Sequence, residues 1–168
     1  NRTLNDNCFL MGILNLTPDS FFSESRVNGV ENAIVKAKLM IEQGATWIDI
    51  GGESTRPGAE PVTIDEEISR VIPVLSKLRE LHPETMISVD TRNHQVARRA
   101  LENGADMIND VSGLRSNEMI ELVLEYGCAV CIMHMQGEPS SMQTNPNYDN
   151  VVDEVTDYLE NKAQLLLD

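Results

Sequence analysis

The sequence has few cysteines and few basic residues, and it contains no long apolar run. No stretch approaches the ~20 apolar residues that a membrane-spanning helix needs, so a membrane protein is not expected. Residues 1–168 do not open with a basic segment followed by an apolar one. A secretory signal is therefore not indicated, and a cytoplasmic location is expected.

The shortage of basic residues makes the chain strongly acidic. It has 13 Lys and Arg residues against 27 Asp and Glu residues, which gives a formal net charge of -14. Such a charge repels the phosphates of nucleic acids and of anionic membranes, so we expect neither as a partner. An anionic substrate would need local positive charge or a metal ion at its binding site.

The three cysteines, Cys8, Cys128 and Cys131, are too few for a disulfide framework. The last two have the C-x-x-C spacing of redox and zinc motifs. They lie in an apolar run, however, where this spacing points the two side chains to opposite faces of a strand. Because there is no second cysteine pair, buried thiols are the better interpretation.

The hydrophobic residues alternate between two patterns that predict a single domain of strands and helices. Short β-rich runs predict strands at residues 8–15, 46–51, 85–91, 106–113 and 129–134. Longer runs with helical periodicity predict helices at residues 30–45, 63–81, 93–103 and 117–126, and from about Tyr148 onward. No linker or repeat interrupts this order, so no domain boundary is indicated.

The helix predicted at residues 63–81 has the clearest pattern. Thr63 and Glu66 form a capping-box pattern at its start. Its predicted buried face consists of Ile64, Ile68, Val71, Leu75 and Leu78. Pro73 lies inside the helix and predicts a bend or a break there.

Five βα units with nearly continuous apolar strands predict a parallel sheet covered by helices. A doubly wound sheet and a (β/α)8 barrel both fit this α/β pattern, and both bind ligands at the carboxyl ends of their strands. No G-x-G-x-x-G or Walker pattern follows the first strand. A nucleotide-binding doubly wound sheet is therefore disfavoured.

Each predicted strand carries an acid, an amide or a histidine at or near its end. One polar residue after a strand usually caps a loop, but a polar end in all five units predicts a common site. The residues concerned are Asn15, Asp49, Asp90, Asn109 with Asp110, and His134. Gly51 and Gly52 would let the backbone approach a ligand closely.

Several strings in this order resemble one family, the dihydropteroate synthases of the folate pathway. They are "MGILNLTPDSFF", "GATWIDIGGESTRPGA", "ISVDT", "GADMINDVSG" and "IMHMQG", which together extend over about residues 9–150. Pterin-binding methyltransferases share parts of the pattern, chiefly the Asp and Asn at the strand ends. A domain acting on methyl-tetrahydrofolate is therefore the alternative.

The resemblance implies a (β/α)8 TIM barrel, of which this chain supplies about the first five βα units. Such a barrel typically needs ~250 residues. Residues 1–168 would then be a pterin-binding domain that is incomplete at its carboxyl-terminal end, and we expect them to be inactive alone. The family's remaining site residues would belong to strands six to eight.

The activity implied is that of a transferase. It would join 6-hydroxymethyl-7,8-dihydropterin diphosphate to 4-aminobenzoate, with Mg²⁺ as cofactor, and would release 7,8-dihydropteroate and diphosphate. These small molecules are the expected partners, and a homodimer is left open as the assembly. Diphosphate would leave first, and the arylamine would then capture the pterin cation.

The resemblance also assigns roles to residues around the diphosphate. Asn15 would offer its carbonyl oxygen to Mg²⁺, which prefers oxygen ligands, although Asn15 could equally cap its loop. Thr55 would bind the diphosphate. Arg56 would meet phosphate oxygens or the aminobenzoate carboxylate with its guanidinium fork, and is expected to act in catalysis. Its alternative is a surface ion pair.

The pterin itself would be held by residues of three strands. Asp90 would accept ring N–H bonds and stabilise the positive charge that develops as diphosphate departs, which makes it a catalytic residue. Asn109 would read the donor and acceptor edge of the ring. Asp49 would contact the ring or support the site from behind, and a purely structural role is the equal alternative. His134 is expected to pack beneath the site rather than to act as a base.

The segment 15–29, "NLTPDSFFSESRVNG", departs from the family's commoner "DSFSDGG" ending. It keeps the core of Thr17, Pro18, Asp19 and Phe21 but has fewer glycines. We therefore expect a less pliable loop tip, in a loop of the kind that can shield a reactive cation from water.

Overall fold

The computed structural model describes residues 8–16, 26–54, 62–138 and 141–167, and in these ranges strands and helices alternate without exception. The strands are β1 (Met11–Asn15), β2 (Trp47–Gly51), β3 (Met86–Asp90), β4 (Met107–Asp110) and β5 (Ala129–Ile132). The helices are α1 (Arg26–Glu42), α2 (Ile64–Leu81), α3 (His94–Glu102), α4 (Asn117–Tyr126) and α5 (Val151–Leu165). The five βα units predicted from the sequence are confirmed.

All five strands are parallel and stand in sequence order, β1-β2-β3-β4-β5. This order excludes the doubly wound alternative, in which the strand order reverses. One register row crosses the whole sheet at its carboxyl end, through Asn15, Gly51, Asp90, Asn109 and Cys131. The five strand ends therefore stand side by side.

The two faces of the sheet differ in burial because side chains alternate between them. Residues that point to the helices are fully buried and join the hydrophobic core, namely Leu14, Ile48, Ile50, Ile87, Val89 and Ile108. On the opposite face, Met11 and Ile13 of β1 and Cys131 of β5 are exposed. The register row lies on this second face, which is the interior face of a barrel.

Helix α2 supports the sheet behind β2 and β3. Thr63 caps it, because its hydroxyl accepts a hydrogen bond from the Glu66 backbone N–H at 3.3 Å. Val71, Leu75 and Leu78 are buried as predicted, and Ile68 is half-buried. Ile64 is exposed, and Glu67 is the buried residue near the start of the helix instead. Of the bend or break predicted at Pro73, the break does not occur, since the helix runs continuously through that exposed position.

The other boundaries differ from the predictions by a turn or less at most ends. β1 begins at Met11 rather than residue 8, and α1 begins at Arg26 rather than residue 30. α5 begins at Val151, and the Asn150 side chain caps it by accepting the backbone N–H groups of Val152 and Asp153. None of the described helices is long and apolar enough to cross a membrane.

Arg79 fastens the amino-terminal end of the sheet, opposite the register row. Its guanidinium donates to the backbone oxygens of Gly104 and Thr85 and pairs with the Asp106 carboxylate. Asp106 Oδ2 also accepts the backbone N–H of Ile87 at 2.7 Å. One side chain of α2 thus connects the segments that enter β3 and β4.

Candidate functional site

Asn15 and Asp90 flank a gap created by Gly51 at the carboxyl end of the sheet. A Cβ at Gly51 would lie 3.5 Å from Asn15 Oδ1 and 3.6 Å from Asp90 Oδ2. The register places Gly51 between the two residues, on the strand that separates theirs. The missing side chain therefore leaves an amide oxygen and a carboxylate facing the same small space.

Asp49 and Asn109 form a second polar pair on the same face. Asn109 Nδ2 donates to Asp49 Oδ2 at 3.2 Å, and Asp49 is only 3% exposed. Asp49 lies two residues below Gly51 on β2, one layer deeper than the register row. Its other oxygen, Oδ1, is buried and has no hydrogen-bond partner in the part of the chain that the structure describes. A buried carboxylate oxygen of this kind is suited to a ligand N–H.

The surroundings of Asp90 strongly raise the pKa of its carboxyl group. Burial, followed by the negative charges of Asp49, Glu67, Asp110 and Glu53, raises the pKa of the Asp90 carboxyl to about 7. Both causes disfavour the charged form. Asp90 therefore changes its protonation near neutral pH, and a positive charge bound beside it would favour the carboxylate.

Two of the predicted residues do not join this group. Asp110 follows Asn109 directly, so its side chain points to the opposite face, where it is fully buried. There it accepts the backbone N–H groups of Ser112 and Leu114 and caps the turn after β4. The expectation that Asp110 shares the common site is wrong, because a step of one residue reverses the face of a strand.

His134 contacts aromatic rings rather than the carboxylates. Its ring lies 5.0 Å from that of Tyr158 in an edge-to-face arrangement and 5.8 Å from that of Tyr148. Tyr158 in turn donates a hydrogen bond to the Gly113 backbone oxygen. His134 thus packs between two tyrosines, as expected of a structural residue.

The two cysteines of the C-x-x-C motif lie on different sides of the sheet, as predicted. Cys128 packs against the hydrophobic core, whereas Cys131 is exposed at the end of the register row. The prediction of buried thiols is therefore wrong for Cys131 and for Cys8, which is also exposed. Partial desolvation raises the pKa of the Cys131 thiol, and the charges of Asp49 and Asp90 raise it further. The thiol is therefore not activated as a nucleophile.

A charged network behind β2 and β3 was missed by the sequence reasoning. Arg92 holds Glu53 through two hydrogen bonds, and the fully buried Glu67 accepts from Asn93 at 2.6 Å. Burial raises the pKa of Glu67, against the opposing hydrogen bonds from Thr91 and Asn93. The burial of Glu67 could have been predicted, because Glu67 lies four residues before Val71 and so on the same, buried face of the helix.

Two predicted substrate residues, Thr55 and Arg56, lie outside the described residues. The same is true of most of the loop at 15–29, including Thr17, Pro18, Asp19 and Phe21. The site that the structure describes is therefore formed by Asn15, Asp49, Asp90 and Asn109, around Gly51.

These four residues do not form a complete metal cage. Within the described ranges, no group of three or more His, Cys, Asp or Glu side chains is arranged to hold a metal ion. The Asn15 oxygen beside Gly51 nevertheless suits Mg²⁺, which commonly takes one or two protein oxygens and completes its shell with phosphate and water. The residues thus fit a Mg²⁺ ion that arrives with a phosphorylated ligand.

Comparison with known proteins identifies the family to which this site belongs. The model of the pterin binding enzyme family matches residues 11–168, which include every strand and helix described above. The chain belongs to the pterin binding enzymes. Residues 11–168 form the part of that family's fold that contains the parallel sheet and the polar residues at its carboxyl end.

Relatives of this pterin binding enzyme include dihydropteroate synthases. The chain is 48% identical to the Escherichia coli K12 dihydropteroate synthase over 149 residues, which is 89% of this chain and 52% of the relative. The crystal structure of the Burkholderia cenocepacia enzyme with 7,8-dihydropteroate is 45% identical, with a TM-score of 0.82. It is matched over 97% of this chain and 54% of that one.

A third relative was solved with a different ligand. The Xanthomonas albilineans dihydropteroate synthase, crystallised with 4-aminobenzoic acid, is 40% identical and has a TM-score of 0.83. The match covers 96% of this chain and 56% of that one. This chain thus spans about half the length of the relatives that it matches.

Proposed function

We propose that this chain supplies the pterin and diphosphate side of a dihydropteroate synthase active site. The observation that carries the proposal is the group formed by Asp49, Asp90 and Asn109 at the carboxyl ends of three adjacent strands. It combines a buried carboxylate oxygen that has no partner among the described residues, an amide and a second carboxylate of raised pKa. Such a set matches a flat heterocycle that carries several N–H groups on its edges.

Recognition of the pterin would use Asp49 and Asn109. Asp49 Oδ1 would accept a ring N–H or an exocyclic amino hydrogen, which would satisfy a buried atom that has no partner in the described part of the chain. Asn109 already donates to Asp49 Oδ2, so its remaining donor and its oxygen are available to the ring. The hydrogen bond between the two residues would hold both in one orientation.

Asp90 would stabilise charge in the reaction. As the bond to diphosphate breaks, positive charge develops on the pterin methylene and spreads into the ring. A carboxylate fixed beside the ring favours that charge, and it costs no reorganisation if it is already in place. The developing cation would also lower the pKa of Asp90, because opposite charges favour the ionised form.

The leaving diphosphate would be bound on the side of Asn15. Asn15 would hold Mg²⁺ together with phosphate oxygens, and Thr55 and Arg56 would bind the same group from the segment after β2. When bound, Mg²⁺ would neutralise charge on the departing diphosphate. Arg56 would also be placed to meet the aminobenzoate carboxylate, since the chain as a whole repels anions.

The relatives support these substrates. One was solved with 7,8-dihydropteroate and another with 4-aminobenzoic acid, and both match nearly the whole of this chain. Because they are almost twice as long, we also propose that further βα units complete the barrel and the site. A homodimer and a cytoplasmic location remain predictions.

Calorimetric titration of the full-length gene product would test the proposal. We expect 6-hydroxymethyl-dihydropterin diphosphate to bind in the presence of Mg²⁺, and Asn109→Ala and Asp49→Ala to weaken binding by about tenfold or more. Methyl-tetrahydrofolate should not compete. If methyl-tetrahydrofolate binds and the pterin diphosphate does not, the methyltransferase alternative is correct.

A further inference from the structure

Glu67 of α2 lies behind the carboxyl ends of β2 and β3 and is fully buried there. It packs against Gly52, the residue that follows β2, because a Cβ at Gly52 would lie 2.9 Å from Glu67 Cγ. It also accepts a hydrogen bond from Asn93, whose Nδ2 lies 2.6 Å from Glu67 Oε2. Asn93 stands three residues after Asp90, the last residue of β3. Glu67 thus contacts the chain just beyond the ends of both strands.

The turn between β3 and α3 connects this contact to Asp90. Thr91 follows Asp90 directly, and its backbone N–H donates to the Asn109 backbone oxygen of β4 at 3.0 Å. Thr91 Oγ1 accepts the backbone N–H of Asn93 at 3.1 Å. Residues 91–93 are therefore bonded to β4 and to each other, and the bond from Asn93 to Glu67 holds them against α2.

Asn93 binds Glu67 instead of capping its own helix. It is the N-cap residue of α3, yet its side chain makes no hydrogen bond to the first turn. The side chains at the starts of α2, α4 and α5 all accept backbone N–H groups, from Thr63, Ser116 and Asn150 respectively. Because a helix without its side-chain cap is less stable, the contact with Glu67 is made at the expense of α3.

Glu67 is itself an unfavourable residue for a buried position. Burial raises the pKa of its carboxyl group. Its Oε1 atom is buried and has no hydrogen-bond partner among the described residues. Apolar side chains of similar volume are often at least as stable at such positions. Stability alone therefore does not account for the bond between Glu67 and Asn93.

We propose that Glu67 and Asn93 are positioning residues that hold the turn after β3 and so fix the Asp90 carboxylate beside a reacting pterin. The inference rests on the proposed function, in which Asp90 stabilises positive charge on the pterin. Such stabilisation requires a carboxylate that is already in place when the charge develops. Asp49 and Asn109, which would hold the ring, have no hydrogen bond to this pair in the described structure. The inference therefore predicts a larger effect on the reaction than on pterin binding.

Single-turnover kinetics of the full-length gene product would test this role. At about pH 8.5, above the pKa of about 7 of Asp90, that carboxyl group is ionised in each variant that keeps it. Glu67→Met keeps the volume of the side chain but loses the acceptor, so the rate of dihydropteroate formation at saturating substrates should fall about tenfold. Affinity for 6-hydroxymethyl-dihydropterin, measured by calorimetry, should fall less than about threefold. Glu67→Gln keeps an oxygen for Asn93, so its rate should lie between those of wild type and Glu67→Met.

A second variant removes the same bond from its other side. Asn93→Ser lacks the amide donor but retains a residue that can cap α3, and its rate should fall as in Glu67→Met. Each substitution should then be combined with Asp90→Asn. Its further effect there should be less than about twofold, because the carboxylate that it positions is gone. A merely structural effect would be the same with and without the Asp90 carboxylate.

Residues of the same types in neighbouring helices supply the controls. Glu125 of α4 pairs with Arg98 at the surface, where its side chain is 56% exposed. Asn103 lies at the opposite end of α3 from Asn93. Glu125→Gln, Glu125→Met and Asn103→Ser should leave the rate and the affinity unchanged. Thermal melts of each variant would verify that it is folded, and Asn93→Ser decides the question if Glu67→Met does not fold.

Two results would overturn the inference alone. One is a single-turnover rate within about twofold of wild type in the folded Glu67 and Asn93 variants. The other is a loss of rate that persists undiminished when Asp90→Asn is also present. If the wild-type protein forms no dihydropteroate, or if Asp90→Asn forms it at the wild-type rate, the proposed function fails, and this inference fails with it.

Discussion

Two neighbouring glycines, Gly51 and Gly52, have different requirements. A Cβ at Gly51 would lie in ordinary contact with Asn15 and Asp90, at 3.5 and 3.6 Å. A Cβ at Gly52 would approach Val71 Cγ2 to 2.8 Å and the Glu67 backbone oxygen to 3.3 Å. Gly51 thus leaves a small space between Asn15 and Asp90, whereas Gly52 lets α2 pack closely on the end of β2.

We therefore expect alanine to weaken ligand binding at Gly51 and to lower protein stability at Gly52. Gly51→Ala should leave the free energy of unfolding within about 1 kcal/mol of wild type but weaken pterin diphosphate binding about tenfold, because its methyl group would occupy the gap. Gly52→Ala should lower the free energy of unfolding by about 1–3 kcal/mol. Urea melts and calorimetric titration would measure both. Unchanged binding in Gly51→Ala would contradict the proposed use of this gap.

Asp90 makes the stability of the protein depend on pH. Its folded-state pKa of about 7 lies above the ordinary value of 3.8, so the folded protein holds this proton more tightly than the unfolded chain does. The resulting stabilisation is complete below about pH 4 and is lost as the pH rises through 7. Asp90→Asn cannot ionise, so its stability relative to wild type should rise by about 2–4 kcal/mol between about pH 4 and about pH 8. Parallel urea melts without ligand would check this, and a constant difference would show that the pKa is not raised.

The same substitution separates binding from chemistry. Asp90→Asn keeps the shape of the side chain but removes the charge that would face the developing cation. Loss of such a preorganised interaction commonly costs ~2.7–4 kcal/mol in the transition state, so the single-turnover rate should fall further than the pterin affinity. If affinity collapses while the rate at saturation survives, Asp90 is a binding residue only.

The sequence predicted the site correctly wherever it placed a side chain on the right face of its strand. Asn15, Asp90 and Asn109 were placed together correctly, because parallel strands end at one edge and these residues share a register row. The prediction for Asp110 was wrong because successive side chains of a strand point to opposite faces of the sheet. Sequence patterns do not locate the end of a strand to within one residue, so they do not decide which face a terminal side chain occupies. The Glu53–Arg92 pair could not be predicted, since it joins residues 39 positions apart through side-chain geometry alone.

At the scale of elements, periodicity predicted all five strands and all five helices. The errors lie where packing overrides local preference. Proline normally disrupts a helix interior by removing a hydrogen bond, yet α2 continues through the exposed Pro73. Its buried face, with Val71, Val74, Leu75 and Leu78, is fully packed against the sheet and holds the helix together.

Arg79 tests whether the amino-terminal end of the sheet serves stability while the carboxyl end serves ligand binding. It connects α2 to Gly104, Thr85 and Asp106 at the amino-terminal end, away from the candidate site. Arg79→Ala should lower the free energy of unfolding by about 2–3 kcal/mol, because several hydrogen bonds to a charged group are lost together. Pterin affinity of the folded fraction should not change. A loss of affinity without a loss of stability would contradict this division of roles, which is typical of parallel α/β barrels.

At the scale of the whole molecule, the described sheet has two edges, β1 and β5. The interior-facing side chains of these strands are exposed, among them Ile13 at 50%. Open edges and exposed apolar residues favour aggregation. We therefore expect a protein limited to residues 1–168 to form no dihydropteroate and to be poorly soluble, whereas the full-length gene product is active. A monomeric and fully active protein of residues 1–168 would contradict the barrel proposal.

Formation of 7,8-dihydropteroate tests the central claim most directly. The full-length gene product would be incubated with 6-hydroxymethyl-dihydropterin diphosphate, 4-aminobenzoate and Mg²⁺, and both dihydropteroate and released diphosphate would be quantified. The account predicts equal amounts of the two products from wild type, with formation strongly reduced in Asp90→Asn and unaffected in Glu125→Gln. A folded wild-type protein that forms no dihydropteroate, or an Asp90→Asn variant that forms it at the wild-type rate, would contradict the account.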